Sequence, residues 1–202
     1  MLANNANFLL IILRINDILF TLEIRLKKVE RKSLSFSKGK AIMFTQITQS
    51  PYGTVKLAVK VAQRIREGTV VCLEGDLGAG KTLFVQSMAR TLGVQGEVTS
   101  PTFNLMNIYE GFCPIVHFDL YRLTSEEELE DIGFYEYTDF PEGIVFIEWA
   151  EKFPDALPEN YVIIKIERLK DSRNMRKIDF DCVGEEHEDF LNELEEFIHS
   201  GD

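Results

Sequence analysis

The glycine-rich stretch GDLGAGKT, residues Gly75–Thr82, constrains the fold more than any other part of this sequence. It fits the pattern G-x-x-x-x-G-K-[ST] in full. The apolar run TVVCLE comes directly before it, and a helix-like segment, 81–92, begins at its last two residues. A strand, a glycine loop and a helix in this order place backbone N–H groups and the positive end of a helix around a phosphate. The stretch therefore predicts an α/β domain that binds a nucleoside triphosphate.

Two side chains at the end of this stretch carry the expected chemistry. We expect Lys81 to face the phosphate site rather than pack in the core, and to neutralise the β- and γ-phosphates. We expect the hydroxyl of Thr82 to ligate Mg²⁺.

The apolar pattern from Met43 onward alternates between helical and strand periods. The segment 50–68 predicts an amphipathic helix that ends at Gly68. Its expected apolar face consists of Val55, Ala58, Val59, Ala62 and Ile65. Strands are expected in NLMNIYE, PIVHFDLYR and GIVFIEW, and a short helix in SEEELEDIG.

The C-terminal part predicts a β-hairpin followed by a helix. The runs NYVIIKIERL and MRKIDFDCV flank a polar turn, and the tail repeats apolar residues at helical spacing. We therefore expect one domain, 43–202, with a P-loop NTPase-type three-layer fold. Its central sheet should be mixed and mainly parallel.

Two acids follow apolar runs and are candidates for the metal site. Asp119 comes after PIVHF and Glu148 after GIVFI. One acid can ligate Mg²⁺ while the other holds or activates the attacking water, and spacing alone does not assign the two roles. Each taken alone is also compatible with a solvated acid at a strand end.

Three further features lie close to these acids in the sequence. The loop TSPTF, 99–103, stands where many nucleotide-dependent switches sense the γ-phosphate, although a plain Ser-Pro turn fits it as well. Trp149 follows Glu148 and is compatible with stacking near the nucleotide or with packing in the core. His117 has no second His or Cys nearby, which favours a packed strand residue over a metal ligand.

Charge and cysteine content limit which partners the protein is expected to bind and in which cellular compartment it is expected to work. Residues 1–42 carry eight Lys or Arg against three Asp or Glu, a net charge of +5. Since the whole chain has a net charge of −11, residues 43–202 have a net charge of −16. Such an acidic domain disfavours direct binding to DNA or to an RNA backbone. Three widely spaced cysteines favour reduced thiols in the cytoplasm over a disulfide framework or a zinc site.

The first 42 residues are expected to form an extension outside the core. Charged and polar residues interrupt their apolar stretch, whose longest clean run is far shorter than the roughly 20 residues of a spanning helix. Their basic cluster follows the apolar stretch, whereas a secretory signal needs the opposite order. A mitochondrial presequence or an interfacial helix stays open as an alternative.

Five strings in this order closely resemble the TsaE family, formerly YjeE. They are GDLGAGKT, TSPTF, HFDLYRL, EELEDIG and IEW, within a match of about Thr45 to Val183. The resemblance implies a small ATPase of tRNA threonylcarbamoyladenosine synthesis. It also implies work with the TsaD–TsaB complex, which modifies the adenosine beside the anticodon in tRNAs reading codons that begin with A. Contact with tRNA would then be indirect.

The resemblance also implies roles for individual residues. The expected phosphate-binding residues are Leu77, Gly78, Ala79, Gly80, Lys81 and Thr82. Thr82 and Glu148 would ligate Mg²⁺, Asp119 would be needed for ATP hydrolysis, and Thr102 would lie by the γ-phosphate. Arg173, in the turn KDSRN, is a weaker candidate for reaching the nucleotide because the family turn varies.

Two other classes of function compete with a partner-driven ATPase. A small P-loop kinase would need a lid-like, Arg-rich insertion to close over its acceptor, and no such insertion stands between the motifs. A nucleotide-gated interaction protein would bind ATP without turnover. A partner-driven ATPase should be stimulated by a protein complex. A kinase should consume ATP together with a small acceptor, and an interaction protein should only bind ATP.

Overall fold

The computed structural model describes residues 43–170 and 172–200. The extension predicted for residues 1–42 lies outside the described residues and stays a prediction. Within the described part, no helix is long and apolar enough to cross a membrane.

Seven strands form one mixed sheet in the order β1-β7-β6-β2-β5-β4-β3. Their bounds are β1 Phe44–Thr48, β2 Val70–Glu74, β3 Met106–Glu110, β4 Pro114–Asp119, β5 Ile144–Glu148, β6 Tyr161–Arg168 and β7 Arg176–Val183. The four central strands, β6, β2, β5 and β4, run parallel, while β1, β7 and β3 pair antiparallel at the two sides. The hairpin predicted at the C-terminus is β6 and β7.

Five α-helices and two short 3₁₀ turns complete the described chain. The helices are α1 Pro51–Ala62, α2 Lys81–Thr91, α3 Glu127–Asp131, α4 Phe134–Thr138 and α5 Glu188–Ser200. The 3₁₀ turns are Ala150–Lys152 and Pro154–Ala156. The sequence patterns did not indicate α4.

The two faces of the sheet carry separate apolar cores, because successive residues of a strand point to opposite faces. Val71 and Leu73 of β2 belong to the core that includes α1, α2 and α5, whereas Val70 and Cys72 belong to the core that includes α3 and α4. Helices on both faces of a largely parallel centre make three layers. The predicted fold class is confirmed.

Helix α1 differs from its predicted bounds and face. It begins after Ser50, whose hydroxyl accepts a hydrogen bond from the N–H of Gly53 at 3.1 Å, and it ends at Ala62, well before Gly68. Its buried residues are Thr54, Leu57, Ala58, Val61 and Ala62. The predicted face is thus rotated around the helix axis relative to the observed one. Small and β-branched residues occupy both sides of this helix, so the apolar pattern alone did not fix the buried side.

Candidate functional site

Two buried carboxylates meet where the central strands end. Asp119 closes β4, Glu148 closes β5, and the two residues are register partners in the parallel pair. Asp119 is 2% exposed and Glu148 3% exposed, so neither is a solvated acid at a strand end. Both lie on the sheet face that packs against α2, because they continue the alternation of Ile115 and Ile144 in that core.

The glycine loop runs from the end of β2 to the start of α2, as the motif predicts. Gly75 has φ +131°, and a Cβ there would lie 2.2 Å from the backbone oxygen of Ile166. Gly80, the N-cap of α2, has φ +119°, and a Cβ there would meet no atom within 4 Å. The loop is thus packed tightly beneath Gly75 and open at Gly80, where a helix N-terminus favours an anion.

We expect Gly75→Ala to destabilise the domain. A non-glycine residue in this region of φ costs on the order of 1–3 kcal/mol, and the clash with the oxygen of Ile166 adds to that cost. Urea unfolding measures the loss. Gly96→Ala is the matched control, because its Cβ has no neighbour within 4 Å, and it should change the free energy of unfolding by less than about 0.5 kcal/mol. Equal stabilities of the two variants would contradict this reading of the loop.

Lys81 lines the cleft, but it is buried, whereas we expected it to be exposed to the phosphate site. Only 4% of the residue is exposed, and Nζ donates to the backbone oxygens of Gly75 at 2.6 Å and Asp76 at 3.2 Å. Nζ also lies 3.9 Å from the ring centroid of Trp149. Burial lowers the pKa of Lys81, and nearby carboxylates, Glu148 first, oppose that fall. The ammonium folds back on its own loop, within reach of the space that phosphates would occupy.

Thr82 and Glu148 are in direct contact. The Thr82 hydroxyl donates to Glu148 Oε1 at 2.9 Å, and His117 Nε2 lies 3.1 Å from the same oxygen. His117 is fully buried in β4. It is a packed strand residue, as expected from the sequence, but its bond to Glu148 was not foreseen.

Thr102 and Asp119 are also in direct contact. The Thr102 hydroxyl donates to Asp119 Oδ2 at 2.5 Å, the Ser100 hydroxyl donates to the same oxygen at 3.1 Å, and Oδ1 accepts the Tyr121 N–H at 3.0 Å. The loop 99–103 therefore covers Asp119 rather than standing apart as a plain turn. Sequence reasoning named Thr102 and missed Ser100, although both stand in the same short string.

Trp149 adopts a backbone conformation that is unusual for a side chain of its size. Its φ is +63°, in the left-handed region, and the residue follows Glu148 directly. The Trp149 ring lies 5.0 Å from that of Tyr121, which is 48% exposed. Non-glycine residues at positive φ cost free energy and cluster at functional sites.

Two arginines of the C-terminal hairpin hold the glycine loop from the side. The Arg168 guanidinium donates to the backbone oxygen of Gly78 through Nε at 3.0 Å and also through Nη2, and Arg176 Nε donates to the oxygen of Ala79 at 2.6 Å. Arg173 is exposed in the turn, where its own carbonyl accepts from Arg176. Sequence reasoning considered Arg173 and missed the other two.

The cleft between these elements has a volume of about 240 Å³. It is lined by Leu77, Gly78, Gly80, Lys81, Thr82, Leu83, Ser100, Thr102, Asp119, Tyr121, Glu148 and Trp149. The structure thus brings together all the residues predicted for the site except two. Ala79, within the loop, is buried, and Arg173 does not line the cleft.

The oxygen donors at the cleft fit a hard divalent cation. The hydroxyl of Thr82 and the carboxylate of Glu148 are adjacent, and the carboxylate of Asp119 ends the neighbouring strand. Within the described residues there is no cluster of three or more His, Cys, Asp or Glu that could hold a metal alone. Mg²⁺ suits such a sparse set, because it is usually bound through one or two protein oxygens together with substrate phosphates and water.

A strand, a glycine loop and a helix, with two acids at the ends of adjacent parallel strands, define the class of P-loop proteins. Within this class, the chain belongs to the TsaE family. The family model "Threonylcarbamoyl adenosine biosynthesis protein TsaE" matches residues 48–178.

Similar proteins support this assignment. A tRNA threonylcarbamoyladenosine biosynthesis protein TsaE of Treponema pallidum is 42% identical over 125 residues, which are 62% of this chain and 92% of the relative. The protein of the same description from Bacillus subtilis is 39% identical over 148 residues, 73% of this chain and 90% of the relative. The crystal structure of Bacillus subtilis YdiB superposes with a TM-score of 0.65 at 30% identity, covering 78% of this chain and 96% of that one.

Proposed function

We propose that this protein binds and hydrolyses ATP in the synthesis of N6-threonylcarbamoyladenosine in tRNA. The observation that carries the proposal is the junction of the glycine loop with two buried acids. Lys81, Thr82, Asp119 and Glu148 line one cleft, and each acid already accepts a hydroxyl hydrogen bond within it. Family membership supports the choice of pathway, because the family and the similar proteins are named for threonylcarbamoyladenosine biosynthesis.

The residues of the cleft have two kinds of role: some would bind the nucleotide and Mg²⁺, and Asp119 would act on the attacking water. The loop from Leu77 to Thr82 would bind the phosphates, and Trp149 would contact the nucleotide. Thr82 and Glu148 would hold Mg²⁺, which screens the negative charge of the phosphates when it is bound. Asp119 would orient a water that attacks the γ-phosphorus, and the bond to the β-phosphate oxygen would break to leave ADP and phosphate. Thr102 would lie beside the γ-phosphate.

Unassisted hydrolysis is proposed to be slow. In this structure both oxygens of Asp119 already accept hydrogen bonds, from Ser100 and Thr102 on one side and from Tyr121 on the other. Three of the roughly four acceptor positions of this carboxylate are thus taken, which leaves it poorly placed to take a proton from water. Displacement of the loop 99–103 would release it, which favours control by a partner.

The partner proposed is the TsaD–TsaB complex, in the cytoplasm. Hydrolysis would drive turnover of that complex, while the threonylcarbamoyl transfer itself would take place elsewhere than on this chain. The acidic charge of residues 43–202 favours contact with tRNA only through the complex. A membrane or DNA has no role in this proposal.

One experiment tests the function against its alternatives. We expect ATP hydrolysis by the purified chain to be slow alone, to rise when the TsaD–TsaB complex is added, and to be unchanged by small-molecule acceptors. Release of phosphate measures each case. Stimulation by an acceptor alone would indicate a kinase, and tight ATP binding with no turnover under any condition would indicate a nucleotide-gated interaction protein.

A further inference from the structure

We propose that His117 is a positioning residue for the magnesium site: it holds the carboxylate of Glu148 with one oxygen turned to the cleft. This inference rests on the proposed function, since it gives His117 a task only if Glu148 serves a bound cation. Nothing in the sequence singled out the pair, because the two residues are 31 positions apart and meet only through the register of β4 and β5.

The hydrogen-bond partners of His117 fix the direction of its contact. Nε2 lies 3.1 Å from Glu148 Oε1, while Nδ1 is buried and has no partner within the described part of the chain. An ionised carboxylate only accepts, so the ring must donate from Nε2. Nδ1 then carries the lone pair and is left as an unpaired buried acceptor, whereas a hydrogen there would be an unpaired buried donor. The imidazole therefore acts as a one-sided donor aimed at Glu148.

Two donors converge on the same oxygen of Glu148. The Thr82 hydroxyl reaches Oε1 from the start of α2, and His117 Nε2 reaches it from β4. No described residue bonds to Oε2, and Glu148 lines the cleft. The pair of donors therefore fixes the rotation of the carboxylate and leaves Oε2 available to a cation. Outer groups that orient a metal ligand in this way tune the affinity for the metal.

His117 serves Glu148 alone, whereas Thr82 would also serve a bound metal. The Thr82 hydroxyl would then place its oxygen on the cation while still donating to Glu148. His117 has no such second duty, since the only polar contact of its ring in the described structure is to Glu148. Its loss should therefore weaken the response to Mg²⁺ and leave the contacts of the phosphates with the glycine loop intact.

The test compares three substitutions in the full chain. The amide of Gln reaches the position of Nε2 and can donate to Glu148, the shorter amide of Asn reaches only the position of Nδ1, and Leu keeps apolar bulk without a donor. Binding of a non-hydrolysable ATP analogue is measured by calorimetry in EDTA and across a Mg²⁺ titration. Thermal melting establishes that each variant is folded.

We expect His117→Asn and His117→Leu to need about tenfold more Mg²⁺ than the wild type, as for other outer groups of metal sites, with unchanged affinity in EDTA. We expect His117→Gln to stay close to the wild type. If the Leu variant does not fold, the Asn and Gln pair decides, because the two amides differ only in reach.

Three results would overturn the inference. One is an unchanged Mg²⁺ requirement in the Asn variant, and another is a Gln variant as impaired as Asn. The third is an equal loss of affinity with and without Mg²⁺, which would indicate a general packing role. A wild-type chain that fails to bind the analogue under any condition would overturn the proposed function as well, so the two failures are distinguishable.

Discussion

Lys81→Ala is expected to weaken ATP binding by more than about tenfold, because a hydrogen bond to a charged group contributes roughly 1.5–3 kcal/mol. The Lys81 ammonium is held at Gly75 and Asp76 at the root of the glycine loop, and Lys81 lines the cleft. Alanine removes that charge from a cleft that is also lined by the carboxylates of Asp119 and Glu148. Calorimetric titration with the non-hydrolysable analogue measures the loss.

The burial of Lys81 adds a second expected effect of this substitution. Two backbone oxygens of the loop lose their donor, so we expect a modest fall in melting temperature together with the loss of binding. Lys56→Ala is the matched control, because Lys56 is exposed on α1 and its removal changes the net charge equally. A folded Lys81→Ala variant with wild-type affinity and turnover would disprove the phosphate-site assignment.

The sequence predicts the glycine loop and the two acids well because their constraints are local. Gly75 and Gly80 occupy backbone conformations that other residues adopt only with strain, and the residue pattern around them therefore fixes a strand, a loop and a helix. Asp119 and Glu148 end apolar runs, and the ends of parallel strands meet at one edge of the sheet. Neither inference needs knowledge of long-range contacts.

The contacts that sequence reasoning missed depend on register and topology. Arg168 and Arg176 reach the glycine loop only because β6 lies beside β2 and pairs with β7, and each bridges 90 or more residues of sequence. His117 meets Glu148 through the same kind of pairing. The motif also indicates that Lys81 serves a phosphate, but it does not indicate that the ammonium donates to the backbone oxygens of Gly75 and Asp76.

Asp119→Asn and Glu148→Ala are expected to separate chemistry from metal binding. The amide of Asn keeps an oxygen that can accept from Thr102 and Ser100, so ATP should still bind. It cannot take a proton from water, and single-turnover hydrolysis should fall by on the order of 10²-fold or more, as for a lost general base. Association with the partner complex should outlast that of the wild type, since the ATP state is not discharged.

Glu148→Ala should act on the Mg²⁺ requirement instead. Mg²⁺ loses one of its few protein oxygens, and the donors of Thr82 and His117 lose their acceptor, so we also expect a lower melting temperature. Glu148→Gln is the control that keeps an acceptor oxygen and removes the negative charge. If the Gln variant folds like the wild type and still needs more Mg²⁺, the metal effect is independent of stability.

Measuring Mg²⁺-dependent analogue affinity and single-turnover hydrolysis for Asp119→Asn, Glu148→Ala and Glu148→Gln decides between the two assignments. The environments of the acids already differ: Asp119 accepts from the loop 99–103, whereas Glu148 accepts from the helix start and from buried His117. A carboxylate held by a loop suits a step that a partner controls, whereas a carboxylate held by a helix and a strand suits a metal ligand. Loss of Mg²⁺-dependent binding in Asp119→Asn, with normal binding in both Glu148 variants, would reverse the roles. Normal hydrolysis in all three would remove both acids from the site.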